Sequence, residues 1–315
     1  MHTDSARNHP LGENDDMTGN GILLIDKPEG PSSAQVVHRV KTLLGVKKVG
    51  HLGTLDPFAS GLLLLGVNEG TKVADIFLGS PKSYRGLMVL GVETDSQDST
   101  GNVVEVRRVP ALSENELKAL EQKFTGDLQQ IPPMFSALKK NGVRLYQLAR
   151  QGKTVPREPR SIRVEALALR KLDDAEIEFD VTCSSGTYVR TLAADMGKFL
   201  GCGAHLKNLK RTACGQLTVE DAVTLEGLEK LKLKEGIPLL SLASALGPLR
   251  AFTWQSRWLA QLRLGQQELL GQIGKPAGGE RWVRILDSSG ELVALVEWSE
   301  ETPGGRWRLS RVFHA

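Results

Sequence analysis

The chain has 315 residues, 40% of them hydrophobic and 24% charged, with a formal net charge of +3, enough for about two domains and a core that buries most of the apolar surface. Its longest apolar runs, such as residues 22–25 and 62–65, fall far short of the roughly 18 to 20 residues of a membrane helix, and no signal peptide precedes them, so a soluble, cytoplasmic protein is expected. The three cysteines (Cys183, Cys202, Cys214) form no CxxC pair and the six histidines no H-x-x-H or H-E-x-x-H spacing, which points to reduced thiols and to no metal site.

Residues 1–19 are polar, rich in Asn, Asp and Gly and without hydrophobic period, which reads as a disordered tail, with Met17 as a second candidate translation start. Residues 21–25 form a short apolar strand that ends in the turn Asp26-Lys27-Pro28. Pro31-Ser32-Ser33 then caps a helix with Val36, Val37, Val40, Leu43 and Leu44 on one face, closed by Gly45. Next comes His51-Leu-Gly-Thr-Leu-Asp56-Pro-Phe-Ala-Ser-Gly61-Leu-Leu-Leu-Leu, one carboxylate between glycine-permitted turns and a buried strand. Pro57 fixes the residue after it and biases Asp56 toward extended geometry, so the carboxylate stands on a stiff loop beside the core. An Asp-Pro turn in which Asp56 caps its own backbone fits the same spacing.

Residues 71–78 read as a short helix, and residues 83–92 as a strand with Tyr84, Gly86, Met88, Leu90 and Val92 on one side. Ser113-Glu-Asn-Glu116 is a capping box that opens a helix through Phe124. Between Lys139 and Lys171 there are ten basic residues (Lys139, Lys140, Arg144, Arg150, Lys153, Arg157, Arg160, Arg163, Arg170, Lys171) against Glu158 and Glu165. This concentration suits a phosphate-tracking surface, and equally a solvated basic face; a helical piece is expected near residues 145–150. Ile177, Phe179, Val181 and Cys183 alternate as a strand, Ser184-Ser-Gly186 turns, and Leu192, Ala193, Met196 and Leu200 mark a helix. Tyr188 and Arg190, two residues apart, share one face if the backbone is extended. An Arg beside a partly buried carboxylate favours its ionised form, and a structural ion pair elsewhere fits as well. Leu209-Lys210-Arg211 places an apolar residue before two cations, either a pocket wall beside a backbone-binding edge or a solvated loop. Residues 236–250 look like a connector, and residues 282–286, 292–298 and 307–313 like three short strands of a small β-rich domain. Irregularly interleaved strands and helices give an α+β fold with a mixed sheet, divided into the tail, a domain of residues 20–249 and a C-terminal domain of residues 250–315.

Leu23-Leu-Ile-Asp-Lys27-Pro28, the loop 51–61, Lys82-Ser-Tyr84 with Thr94-Asp95, Pro132-Pro-Met-Phe-Ser-Ala-Leu-Lys139, Tyr146-Gln-Leu-Ala-Arg150, Pro156-Arg157-Glu158, residues 185–192, and Gly201-Cys-Gly-Ala-His-Leu into Leu209-Lys-Arg stand in one collinear order. In these stations the chain resembles the bacterial tRNA pseudouridine synthases of the TruB type over residues 20–225, with a weaker likeness to PUA-like domains at the C-terminus.

The resemblance implies a mixed, largely antiparallel sheet of the pseudouridine synthase type flanked by helices, with a PUA-like RNA-binding domain after it. It implies isomerisation of the T-loop uridine at tRNA position 55, by a monomer that needs no protein partner. Asp56 would be the catalytic aspartate, paired with Arg190. Tyr188 would contact the base edge and remove the proton at C5. His51 would wedge or stack at the flipped nucleotide, Tyr84 would lie under the base, Leu209 would wall the pocket, Lys27 and Pro28 would buttress Tyr84, and Lys27, Lys210 and Arg211 would be counted among the substrate-binding residues. Lys210-Arg211 stands where the family shows two arginines, which keeps the charge there and weakens bidentate phosphate binding.

The chemistry moves no electrons and adds no atoms, so no cofactor is expected. The carboxylate can attack C1′ or C6 or take a proton at C2′. Two alternatives share these residues: a guide-RNA-dependent pseudouridine synthase, and a non-catalytic protein that helps tRNA fold.

Overall fold

The computed structural model describes residues 19–234, 236–301 and 304–314, so Met17 and all but the last residue of the expected tail lie outside the described residues. In chain order the elements are β1 (Gly21–Lys27), α1 (Ser33–Leu44), β2 (Val49–His51), β3 (Ser60–Val67), α2 (Ala74–Gly79), β4 (Lys82–Leu90), β5 (Val92–Thr94), β6 (Val103–Val106), α3 (Glu114–Lys123), β7 (Gly126–Gln130), β8 (Lys139–Lys140), β9 (Val143–Arg144), α4 (Leu145–Ala149), β10 (Arg160–Lys171), β11 (Glu176–Cys183), α5 (Val189–Phe199), β12 (Ala204–Cys214), β13 (Leu217–Thr218), α6 (Leu225–Lys234), α7 (Leu242–Ala245), β14 (Ala251–Thr253), α8 (Ser256–Arg263), β15 (Trp282–Leu286), β16 (Leu292–Ser299) and β17 (Arg306–Val312).

The main sheet runs β1-β3-β12-β4-β11-β10-β7, with β2 on β3 and β13 on β12. Every neighbouring pair is antiparallel except the short parallel contact of β12 with β3. This is the mixed, largely antiparallel α+β core that the sequence suggested.

Strands β1 and β3 read as unbroken apolar runs because both of their faces are covered. Leu23, Ile25, Leu63 and Leu65 join the core formed with α1, α5 and α6. Ile22, Leu24, Leu62 and Leu64 face a second core with Phe77, Leu242 and, from the C-terminal sheet, Leu292, Leu295 and Phe313. Helices α1 and α3 both open on capping boxes, Ser32 with Gln35 and Ser113 with Glu116.

The structure departs from the sequence reading in several places. The helix expected over 71–78 begins as a tight 3-10 turn at Asn68–Val73 and becomes α-helical only at Ala74. A Cβ on Gly70 would meet the Gly21 carbonyl oxygen at 2.1 Å, so that turn is pressed directly against β1. The strand expected through Val92 ends at Leu90, where Gly91 takes φ +83 and the chain turns into β5. The connector of residues 236–250 is part of the fold: Ile22 and Leu240 exchange two backbone hydrogen bonds of 2.9 Å, and α7 packs beneath. Residues 205–211 lie in β12, a central strand. The C-terminal unit contains the three expected strands, a fourth (β14) parallel to β15, and α8, around its own core of Leu259, Leu262, Val283, Ile285 and Trp307.

The parallel contact of β3 with β12 depends on Gly61. Its φ is +98, and a Cβ there would meet the Arg211 carbonyl oxygen at 2.3 Å and the Arg211 nitrogen at 2.9 Å. Gly30, with φ +106, has nothing within 4 Å. Gly61→Ala is therefore expected to destabilise the protein by about 2–4 kcal/mol, combining backbone strain with overpacking, and Gly30→Ala by the strain alone. Denaturant titrations that gave both variants the same midpoint would contradict this.

Candidate active site

Asp56 lies in the loop between β2 and β3. The turn at Pro57 that the sequence suggested is present, closed by the Ala59 N–H on the Asp56 carbonyl at 3.1 Å. The side chain does not cap this turn. Its Oδ2 lies 3.0 Å from Arg190 Nε, with the carboxylate side chain 40% exposed and the arginine 6%.

Arg190 has no freedom left. Its Nη1 donates to the Ser96 carbonyl at 2.8 Å and lies 3.3 Å from Asp98 Oδ2, and its Nη2 donates to the Phe135 carbonyl at 2.8 Å. Asp98 is a second, buried carboxylate, fixed in turn by the Ser96 hydroxyl at 2.7 Å and the Thr100 N–H at 3.0 Å. The buried guanidinium and Asp98 offset each other, and Asp56 is the member of the trio that reaches the surface. Neither Asp98 nor Ser96 carried a signal in the sequence, since an aspartate in a polar turn between β5 and β6 has many ordinary explanations.

The loop is braced from behind by three buried groups. The Ser33 hydroxyl donates to the Leu55 carbonyl at 2.8 Å and accepts the Leu55 N–H at 2.9 Å. Lys27, fully buried, donates to the carbonyls of Pro28, Pro31 and Pro57 at 2.7, 3.0 and 3.3 Å. Arg211, 2% exposed, donates to the carbonyls of Leu62, Thr54 and Gly53 at 2.6, 3.2 and 3.3 Å.

This corrects two expectations. Lys27 and Arg211 are not substrate-facing cations, because both are buried and each donates to three backbone carbonyls inside the protein. The hydrogen bonds of Lys27 tie the β1–α1 turn, through Pro28 and Pro31, to Pro57 of the Asp56 loop, and none runs to Tyr84. Lys210, on the other side of the strand, is exposed, with Asp26 at 3.7 Å.

Arg211 pairs in register with Tyr84 on β4 and with Gly61 on β3, so one cross-strand row joins the Asp56 loop to the tyrosine. Tyr84 is half-buried as a residue. Burial pushes its phenol up to about 12, against the pull of the Arg211 guanidinium. Leu209, buried, stands opposite Gly86 on the same pair of strands. His51 ends β2. Its imidazole is held below its ordinary pKa by burial and by Arg211, so the ring is neutral at physiological pH and suited to stacking.

Tyr188 is the N-cap residue of α5 and Arg190 lies in the first turn of that helix. The backbone therefore changes from extended to helical between them, and the shared extended face expected for the pair is not what brings them together. Burial raises the Tyr188 phenol, with the Ser136 hydroxyl, Arg160 and Arg190 pulling the other way. Its O–H is thus present at neutral pH as a donor.

The ten basic residues of segment 139–171 divide into three groups. Arg163, Arg170 and Lys171 are paired with Asp127, Glu178 and Asp174 at 2.9, 2.5 and 2.9 Å. Lys140 and Arg157 donate to the Pro156 and Pro132 carbonyls. Lys139, Arg144, Arg150, Lys153 and Arg160 are exposed and have no ion pair among the described residues.

The chain is similar to known proteins over most of its length. Residues 41–189 match the TruB family pseudouridylate synthase N-terminal domain, and residues 190–251 match the tRNA pseudouridylate synthase B C-terminal domain. A protein named tRNA pseudouridine synthase B from Geobacter sulfurreducens is 42% identical over 307 residues, covering 93% of this chain and 99% of its own length. Another of that name from Burkholderia pseudomallei is 44% identical over 287 residues, covering 89% and 93%. The crystal structure of a Cbf5-Nop10-Gar1 complex contains a chain similar in fold, with a TM-score of 0.71 at 25% identity over 99% of this chain and 91% of that one. The chain belongs to the TruB family of pseudouridylate synthases.

Burial lowers Lys27 from its ordinary 10.5 to about 8, with Glu29 and Asp56 pulling it up. Between those values the unfolded chain holds a proton that the folded chain has released, so Lys27 adds stability as pH rises through that window. Lys27→Met removes this gain. The gap in unfolding free energy between wild type and variant should widen between about pH 8 and 10, by up to about 1.4 kcal/mol per pH unit. A gap that stays constant across urea titrations in that range would contradict the assignment.

Proposed function

We propose that this protein isomerises uridine 55 in the T loop of tRNA to pseudouridine, acting in the cytoplasm as a monomer without an accessory protein or cofactor. The observation that carries this reading is the Asp56–Arg190 contact at 3.0 Å, a carboxylate held at the surface from a braced loop. Tyr84 and Tyr188 lie at the same end of the sheet, and the reading also draws on relatives named tRNA pseudouridine synthase B over about nine tenths of the chain.

The reaction breaks the N1–C1′ bond, turns the base and forms C5–C1′, with one proton leaving C5 and one arriving at N1. The sugar is out of reach inside a stacked loop, so the nucleotide is flipped out at a cost of a few kcal/mol. Stacking on Tyr84, worth about 1–3 kcal/mol, offsets part of this. Asp56 meets the exposed ribose and base, Arg190 holds its carboxylate in position, Tyr188 faces the base edge, and Leu209 and His51 bound the pocket. The five unpaired cations of residues 139–160 and Lys210 take phosphates, and RNA is read by loop shape as much as by sequence. The C-terminal domain adds RNA contacts. No described helix is long and apolar enough to cross a membrane.

Incubation with an unmodified tRNA transcript, followed by mapping of pseudouridine, tests the proposal. Wild type should form it at position 55 without any guide RNA or partner protein, and Asp56→Asn should form none while its tRNA affinity stays within about tenfold. Product at another position would keep the chemistry and overturn the substrate. A requirement for guide RNA would favour the alternative that the Cbf5 likeness raises, and residual turnover of the variant above a few per cent would move the chemistry to another residue.

Neutralising Arg144, Lys153 and Arg160 together should flatten the dependence of log Kd on log salt by about one for each phosphate no longer neutralised. An unchanged slope would place the RNA on another surface.

A further inference from the structure

The segment from Gln130 to Ser136 meets both Tyr188 and Arg190. Gln130 ends β7 and is 3% exposed. Its amide Nε2 donates to the Tyr188 carbonyl at 3.1 Å, and its Oε1 accepts the Tyr188 N–H at 2.8 Å. A side chain 58 residues away in sequence thus satisfies both backbone groups of Tyr188 as a neighbouring strand would.

Tyr188 has need of such a partner. It follows the exposed turn at Ser185-Gly186, where Gly186 takes φ +82, and it precedes a helix that it caps without a side-chain bond. The helix holds its carbonyl from one side through the Leu192 N–H at 3.0 Å, and Gln130 supplies the acceptor for its amide and a second donor to its carbonyl. Further along the segment, the Ser136 hydroxyl is enclosed beside the Tyr188 phenol. Between the two, the Phe135 carbonyl takes Arg190 Nη2 at 2.8 Å.

We propose that Gln130 is a positioning residue for Tyr188: its two backbone hydrogen bonds aim the phenol at the base edge, and the loss of either misdirects the hydroxyl without disturbing RNA binding. This rests on the assignment of Tyr188 to the base edge given above.

The test is a double-mutant cycle read by single-turnover pseudouridine formation on tRNA transcript. Gln130→Met, which keeps the side-chain volume and removes both bonds, should slow the step by about 10- to 100-fold. Its tRNA Kd should stay within about twofold of wild type, because the residue is buried and touches no RNA. In a Tyr188→Phe background, where there is no hydroxyl left to aim, the same change should cost less than about threefold. Gln130→Met at wild-type speed, or an equal loss in both backgrounds, would overturn the proposal. If Gln130→Met fails to fold, Gln130→Glu is read in its place: it keeps the acceptor for the Tyr188 N–H, sets an oxygen against the Tyr188 carbonyl, and is subject to the same two outcomes. A wild-type enzyme that forms no pseudouridine on tRNA would instead sink the functional reading, and the two failures are distinct.

Discussion

One buried guanidinium organises the candidate active site of this protein. Arg190 holds Asp56, Asp98 and the carbonyls of Ser96 and Phe135 at once, and those partners come from three separate stretches of chain: the loop before β3, the β5–β6 turn and the segment after β7. Five N–H donors in a rigid plane suit this task in a way that a point charge on a flexible stem does not. A buried cation with partners removed is costly, on the order of 3–5 kcal/mol for a broken pair. The four interactions therefore stand or fall together, and Asp56 inherits their rigidity.

The loop that carries Asp56 is held by the same logic, with charge turned toward the backbone. Lys27 and Arg211 each satisfy three carbonyls that would otherwise be buried without donors. Burial lowers Lys27 to about 8, a mark of how far these cations are withdrawn from solvent. The cations that remain available for phosphate lie elsewhere, on the exposed stretch from Lys139 to Arg160. The molecule thus separates two placements of positive charge, one buried behind the stiff Asp56 loop and one exposed to solvent, where the proposed function puts the RNA.

Much of this was legible in the sequence because it rests on local rules. The Pro31-Ser32-Ser33 cap marked α1 and a capping box marked α3, the apolar runs marked buried strands, and the glycines and Pro57 marked the Asp56 loop. What could not be read depended on irregular or distant pairing. Strand β12 hides its alternation because its register with β4 shifts between Leu206 and Asn208 and again between Arg211 and Ala213, so buried Leu206, Leu209 and Arg211 do not fall on a strict period of two. Arg211 consequently looked like a surface cation beside Lys210. Part of the basic segment is strand β10, whose Arg163 and Arg170 pair across to neighbouring strands. Asp98 and Gln130 gave no signal at all, since a polar residue acquires its role only when the fold brings it to Arg190 or Tyr188.

The proposed catalysis depends on the fork of Arg190, not merely its charge, and Arg190→Lys separates the two. The direct measurement is single-turnover pseudouridine formation by this variant on tRNA transcript, with tRNA affinity measured alongside. The expected result is a rate at least about a hundredfold below wild type with nearly unchanged affinity, because an ammonium cannot satisfy Asp56, Asp98 and two carbonyls together. A rate within about threefold of wild type would contradict this and leave charge alone as the requirement.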